Sequence, residues 1–320
     1  MSQPLLEVRD LSAGYRVYKG FLRVLDGVSL TVRRGEKIGL VGESGCGKTT
    51  TMRAILGVLP SNGRVTGGQV LFEGRDLRQA SPRELQRLRG RKLTAIFQNP
   101  GAALNPVFTV GQQLDAVLRA HHPGMPARER RQRAIEALAS VRLPDPERLL
   151  NNYPVQLSGG MKQRVCIALA LLSDADLIIA DEPGTALDVT IEDQVMRLFM
   201  RLVEERQSAT IFITHSLGVV RQWMDRVYVM YAGSIVEAAP TQELFRNPLH
   251  PYTQALLKAV PKLTGGGIPK GIEGRVPDYA DPPAGCRFHP RCPFYSPDRC
   301  PARPALVDVG NDHLVACYQY

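Results

Sequence analysis

The chain lacks any long hydrophobic run. Its longest strongly apolar stretch, Val165 to Leu172, falls well short of the roughly 20 residues a membrane-spanning helix needs. No secretory signal is expected, because Glu7, Arg9 and Asp10 interrupt any apolar core near residue 1. A cytoplasmic protein is therefore expected, with any membrane role coming through a partner. Aromatic residues are scarce at 6%, and none forms a platform beside the arginine clusters at Arg83–Arg91 and Arg128–Arg133. Glutamates are interspersed in those clusters. The net charge of +9 thus reads as solvated helix faces, or faces near anionic lipid headgroups, and nucleic acid is not an expected partner. Of six cysteines, Cys46 and Cys166 stand alone and four crowd into the last 35 residues. The paired C-x2-C spacing common in structural zinc sites is absent. In a reducing compartment such a cluster argues for metal over disulfides.

What is present is organised around Gly42-Glu43-Ser44-Gly45-Cys46-Gly47-Lys48-Thr49, which fits G-x-x-x-x-G-K-[ST]. A buried strand is expected before it at Lys37–Val41 and a helix after it from Thr50. Glycines let backbone N–H groups turn inward around phosphate oxygens, and the helix N-terminus adds positive potential. Lys48 would reach the β and γ phosphates, and the Thr49 hydroxyl would hold Mg²⁺.

Before the loop, residues 5–32 alternate apolar and polar positions and read as an antiparallel β layer broken by a loop at Arg16–Arg23. Tyr15 is expected to end the first strand, either to stack on a purine or as a plain strand-end tyrosine. After the loop, Gly67–Gly74 reads as strand and turn. Leu93–Phe97 is a buried strand ending at Gln98, a candidate for Mg²⁺ or water near the γ-phosphate. The stretch from Asn99 to about Leu157 is helical in period, with Ile135, Leu138 and Val141 on one face of an arginine-rich helix.

Leu157-Ser158-Gly159-Gly160-Met161-Lys162-Gln163-Arg164 then opens a helix that is apolar nearly all round. Ser158 and two glycines at a helix start make a second anion site, where the bland alternative is an ordinary N-cap. One nucleotide has a single γ-phosphate, so the second site would serve a nucleotide held by another subunit. Leu177–Ala180 reads as a buried parallel strand ending in Asp181, which would coordinate Mg²⁺, and Glu182, which would polarise an attacking water. Ala186-Leu187-Asp188 leads into a helix with Ile191, Val195, Leu198 and Leu202 on its apolar face. Thr210–Thr214 is a buried strand ending at His215, placed at the sheet edge where phosphate binds.

In order and approximate spacing these elements resemble an ABC transporter ATPase subunit over about residues 5–260. The stretch Leu157–Arg164 is the specific element. The resemblance implies a RecA-like P-loop NTPase of α/β class. Its parallel sheet core would carry an N-terminal antiparallel β layer and a helical subdomain at about 99–170. The ATPase domain would span 1–260 and a cysteine-rich extension 261–320. It also implies that Thr50 joins the loop in binding ATP, that Thr49, Gln98 and Asp181 hold Mg²⁺, and that Ser158–Gly160 and Asp188 contact nucleotide. Glu182 would be the base, His215 the switch histidine and Tyr15 the adenine-stacking aromatic. Two departures stand out: Gly184 where threonine is usual, and Ser216 where aspartate is common after the switch histidine.

Asn247-Pro248-Leu249-His250-Pro251-Tyr252-Thr253-Gln254 resembles a segment of oligopeptide, dipeptide and nickel importers. A joint at Gly265–Gly267 follows, then Cys286, Cys292, Cys300 and Cys317. The run Gly285–Pro293 looks like the extension of peptide-importer ATPases, for which a 4Fe–4S cluster is implied, with zinc as the alternative. The implied partners are a second, related cassette, two membrane-spanning permease subunits and an extracytoplasmic solute-binding protein, at the cytoplasmic face of the inner membrane. Import of nickel or another small solute, and a soluble non-transport ABC ATPase, are the alternatives. The cargo is not written in this chain.

Overall fold

The computed structural model describes residues 3–18, 20–184, 189–260 and 271–320. Asp188 and the Gly265–Gly267 joint lie outside the described residues. The chain forms two compact units, Met1–Gln79 with Ile213–Tyr320, and Ala80–Phe212.

The first unit opens with β1 (Leu6–Val17) and β2 (Gly20–Val32), paired antiparallel. Leu6, Val8 and Leu11 on β1, and Val28, Leu30 and Val32 on β2, are buried, as alternation requires. The loop expected at Arg16–Arg23 is not there: pairing continues through Tyr15↔Leu22 and Arg16↔Phe21 to Val17↔Gly20. Tyr15 accordingly lies within β1 and does not end it. A ladder is held by backbone hydrogen bonds, so a hairpin tip without apolar alternation still pairs. Here the Arg64 guanidinium also lies 4.8 Å over the Phe21 ring.

Next come β3 (Lys37–Val41), α1 (Lys48–Leu56), β4 (Gly63–Phe72) and the short β5 (Arg75–Asp76). β4 starts four residues before the glycine pair at 67–68 and runs antiparallel to β1, giving the sheet order β2-β1-β4-β5.

In the second unit α2 (Pro82–Leu88) starts from a Ser81/Glu84 capping box and leads to β6 (Leu93–Ile96). The helices α3 (Pro100–Ala103), α4 (Val110–His121), α5 (Ala127–Ser140), α6 (Pro146–Leu149) and α7 (Gly159–Leu171) follow. Ala134 and Leu138 form the buried face of α5, with Val141 buried just beyond its end, while Ile135 is only half-buried. That stripe at i, i+4 and i+7 faces α4 and α7. β7 (Leu177–Asp181) runs parallel to β6, and α8 (Val189–Arg206) buries Val195, Leu198 and Leu202.

Through β8 (Ala209–Thr214) the chain returns to the first unit, followed by α9 (Leu217–Trp223), β9 (Arg226–Tyr231) and β10 (Ser234–Pro240). β9 is parallel to β3, as a parallel core requires, but β10 is antiparallel to β9, so the sheet is mixed. The reason is local. Ala232 and Gly233 both take positive φ (42° and 85°), the two-residue turn that can join only antiparallel strands.

α10 (Thr241–Arg246), α11 (Pro251–Lys258), β11 (Val307–Asp308) and β12 (Leu314–Val315) complete the chain, with β12 pairing onto β10. The Glu237 carboxylate, fully buried on β10, accepts the N–H groups of Leu249 and His250 at 2.7 and 2.9 Å and lies 2.7 Å from His313 Nε2. One carboxylate thus fastens both the Asn247–Gln254 segment and the tail. Among the described residues no helix is long and apolar enough to cross a membrane.

Candidate functional site

The loop after β3 is shaped by what surrounds it. Gly42 has φ 154°, and a Cβ there would meet the Met230 carbonyl oxygen at 2.1 Å, so no other residue fits without moving β9. Lys48 opens α1, is 5% exposed, and donates from Nζ to the carbonyls of Gly42 at 2.8 Å and Glu43 at 3.1 Å. Its ammonium therefore lies inside the curl of its own loop, with Cys46 Sγ 3.8 Å away. Burial pushes the Cys46 thiol up in pKa while Lys48 pulls it down, which keeps it a small neutral wall. Thr51 is tied to the Gly47 carbonyl and closes the first turn of α1.

Tyr15 reaches this region from β1. Its hydroxyl is 3.1 Å from the Thr50 hydroxyl, and its ring lies against Gly63. His215 follows β8 and is exposed. Ser216 precedes α9 without a side-chain capping bond, its N–H donating to the Thr214 hydroxyl. Tyr252, which the sequence did not single out, accepts the Glu43 N–H through its hydroxyl at 2.9 Å. Its ring packs tilted against Tyr231, centroids 4.6 Å apart, and against Phe288 of the cysteine stretch at 5.5 Å.

The second unit holds the other groups. Asp181 ends β7 and is 2% exposed. Glu182 follows it in the left-handed region at φ 44°, a conformation rare for a non-glycine residue and common at functional sites. Gln98 Nε2 donates to Glu182 Oε2 at 2.9 Å. Ser158 caps α7 by accepting the Met161 N–H at 3.3 Å, while Ser158 and Gly159 stay exposed at the helix start. Gly160 is held bare by Ile191: a Cβ would meet its Cγ2 at 2.9 Å. The space a side chain at Gly184 would take is filled by Glu192, whose Cγ and Oε1 lie 2.5 Å from the Cβ position.

In the tail, Cys286, Cys292, Cys300 and Cys317 are half-buried thiols. Burial pushes Cys286, Cys292 and Cys317 up, and each is raised further by one or more of the other cysteines. His289 stacks on Tyr295 at 4.6 Å, with Nδ1 3.1 Å from the Cys286 carbonyl oxygen. Among the described residues no three of His, Cys, Asp or Glu gather tightly enough to hold a metal ion, so a closed zinc site is not preformed.

A family model described as ABC transporter matches residues 25–185. The chain belongs to the ABC transporter family. A second family model, described as the C-terminal region of oligopeptide/dipeptide transporters, matches residues 236–300. Relatives of this ABC cassette include a probable peptide ABC transporter ATP-binding protein of Sinorhizobium fredii, 45% identical over 98% of this chain and 95% of its own length. The dipeptide transport ATP-binding protein DppD of Bacillus subtilis is 44% identical over 99% and 95%. Among solved structures, a dimeric post-hydrolysis state of the ATP-binding cassette MJ0796 bound to ADP and Pi matches with TM-score 0.66 and 29% identity. That match covers 74% of this chain and 98% of the other.

Proposed function

We propose that this ABC cassette is the ATP-hydrolysing subunit that energises an importer of peptides. The observation that carries the reading is the strand–loop–helix at 37–56, with Lys48 buried inside the curl of a glycine-rich loop that leads into the N-terminus of α1. Relatives named for peptide transport along nearly the whole chain, together with the matched C-terminal region, support the cargo class.

On this reading Gly42–Thr49 and Thr50 bind the ATP phosphates and Tyr15 the adenine. Thr49, Gln98 and Asp181 hold Mg²⁺, Glu182 activates water, and His215 contacts the γ-phosphate. Ser158–Gly160 and Asp188 serve the nucleotide of a second cassette, a related subunit. Two permease subunits and an extracytoplasmic solute-binding protein complete the assembly at the cytoplasmic face of the inner membrane. The chain itself would be peripheral.

Reconstitution with permeases and partner cassette in proteoliposomes tests the reading. Peptide delivered with the solute-binding protein should raise ATP turnover and accumulate inside. Turnover indifferent to every peptide offered, but responsive to another solute, would sink the cargo assignment.

We infer further that Cys286, Cys292, Cys300 and Cys317 hold a 4Fe–4S cluster. Cys292, Cys300 and Cys317 each push the Cys286 thiol up in pKa, so the four lie in one neighbourhood, and four thiolates are the donor set such a cluster takes. Bound, the cluster would supply iron–thiolate cross-links and one-electron chemistry. Iron and acid-labile sulfide in anaerobically purified chain, lost in Cys292→Ser, would support it; stoichiometric zinc without iron would overturn it.

A further inference from the structure

The phosphate loop is gripped by the C-terminal extension. Arg291, beside Cys292, donates from Nη1 to Glu43 Oε2 at 2.7 Å and from Nη2 to Glu43 Oε1 at 3.1 Å, a two-pronged pair on the second residue of the loop. Its other donors are occupied too. Nε reaches the Glu273 carbonyl at 2.8 Å, Nη2 the Ile272 carbonyl at 3.0 Å, and Nη1 the Tyr231 hydroxyl at 3.3 Å. With its side chain 3% exposed, the guanidinium has one orientation available. Two residues along the loop, the Tyr279 hydroxyl donates to the Gly45 carbonyl at 2.7 Å.

Glu43 is the only acid in a loop built to receive an anion. An unpaired carboxylate there would repel phosphate and attract the loop's own N–H groups and Lys48. A carbonyl at Gly45 free to rotate would swap acceptor for donor at the same rim. We propose that Arg291 and Tyr279 are positioning residues for nucleotide binding: Arg291 neutralises and aims Glu43, and Tyr279 pins the Gly45 carbonyl, so that the loop presents its amides to phosphate. The inference rests on the reading of Gly42–Thr49 as the ATP site and deepens it, because it makes the tail part of that site's construction.

The test is titration of the full-length chain with MgATP, alongside thermal melting. Arg291→Ala should weaken binding about tenfold, Arg291→Lys less, and Tyr279→Phe about two- to threefold. Adding Glu43→Gln to Arg291→Ala should restore most of the affinity, because the carboxylate left bare is then gone. A merely structural Arg291 would lower the melting temperature without that rescue, and this result would overturn the proposal. Should Arg291→Ala fail to fold, Tyr279→Phe decides, since it removes one hydroxyl only. Wild-type affinity in Tyr279→Phe and in every folded Arg291 variant, with binding abolished by Lys48→Ala, would sink this inference and leave the ATP site standing. A wild-type chain that binds no MgATP would overturn the nucleotide reading itself.

Discussion

The Gln98 amide donates to the Glu182 carboxylate across 2.9 Å, although 84 residues separate the two. β6 and β7 run parallel with Ile96 opposite Ala180, so two further residues on each chain bring Gln98 level with Glu182. The strand pair thus aims a donor at the carboxylate proposed to polarise water, and the left-handed backbone of Glu182 turns it out of the strand line.

Glu182→Gln should keep MgATP affinity within about twofold while turnover falls by about 10²–10⁴, the usual worth of a positioned base. Paired binding and phosphate-release measurements check this. Undiminished hydrolysis would end the assignment of Glu182 as the base.

Gln98→Ala removes one donor that orients the proposed base. Turnover should fall about tenfold, with affinity less affected, because a carboxylate sampling several rotamers is seldom aligned on water. If affinity collapsed and the turnover of bound ATP held, Gln98 would be a Mg²⁺ ligand only.

Gly184→Thr would drive its Cβ into Glu192. It should destabilise the chain by about 1–2 kcal/mol in urea unfolding, with Glu192→Ala in the same chain relieving most of the loss. An unchanged midpoint in the single variant would show that the flexible Glu192 side chain yields freely.

His250 is buried, accepts the Tyr252 N–H on Nδ1, and has its pKa lowered by burial to about 3. The unfolded chain takes up a proton near the ordinary histidine pKa of 6.5 and the folded chain does not. The stabilisation is therefore complete above that pH and is lost as pH falls, at about 1.4 kcal/mol per unit until the folded pKa. Melting curves between pH 7 and 5, compared with His250→Asn, should show the steeper decline in the wild type. Asparagine keeps an acceptor for the helix start but cannot titrate.

Much of the candidate site was legible because the pattern that proposes it is local. A phosphate loop needs consecutive residues and strand ends are readable in line, so Lys48, Gln98, Asp181 and Glu182 could be named as candidates, and the structure puts Lys48 at the start of α1 and Asp181 at the end of β7. The hairpin tip was misread because its pairing is held by backbone and leaves no apolar alternation to see. The mixed sheet was missed because two ordinary residues, Ala232 and Gly233, reverse the chain by taking positive φ.

What the sequence by itself determined is the local pattern: the glycine-rich loop between strand and helix, and the carboxylates at a strand end, each set by a few neighbours in line. Tertiary structure alone decided what holds that pattern in shape. Arg291 lies 248 residues from Glu43, and Tyr279 lies 234 from Gly45. An ion pair or hydrogen bond between side chains so far apart leaves no periodicity or spacing in the sequence, because only folding brings the two ends together.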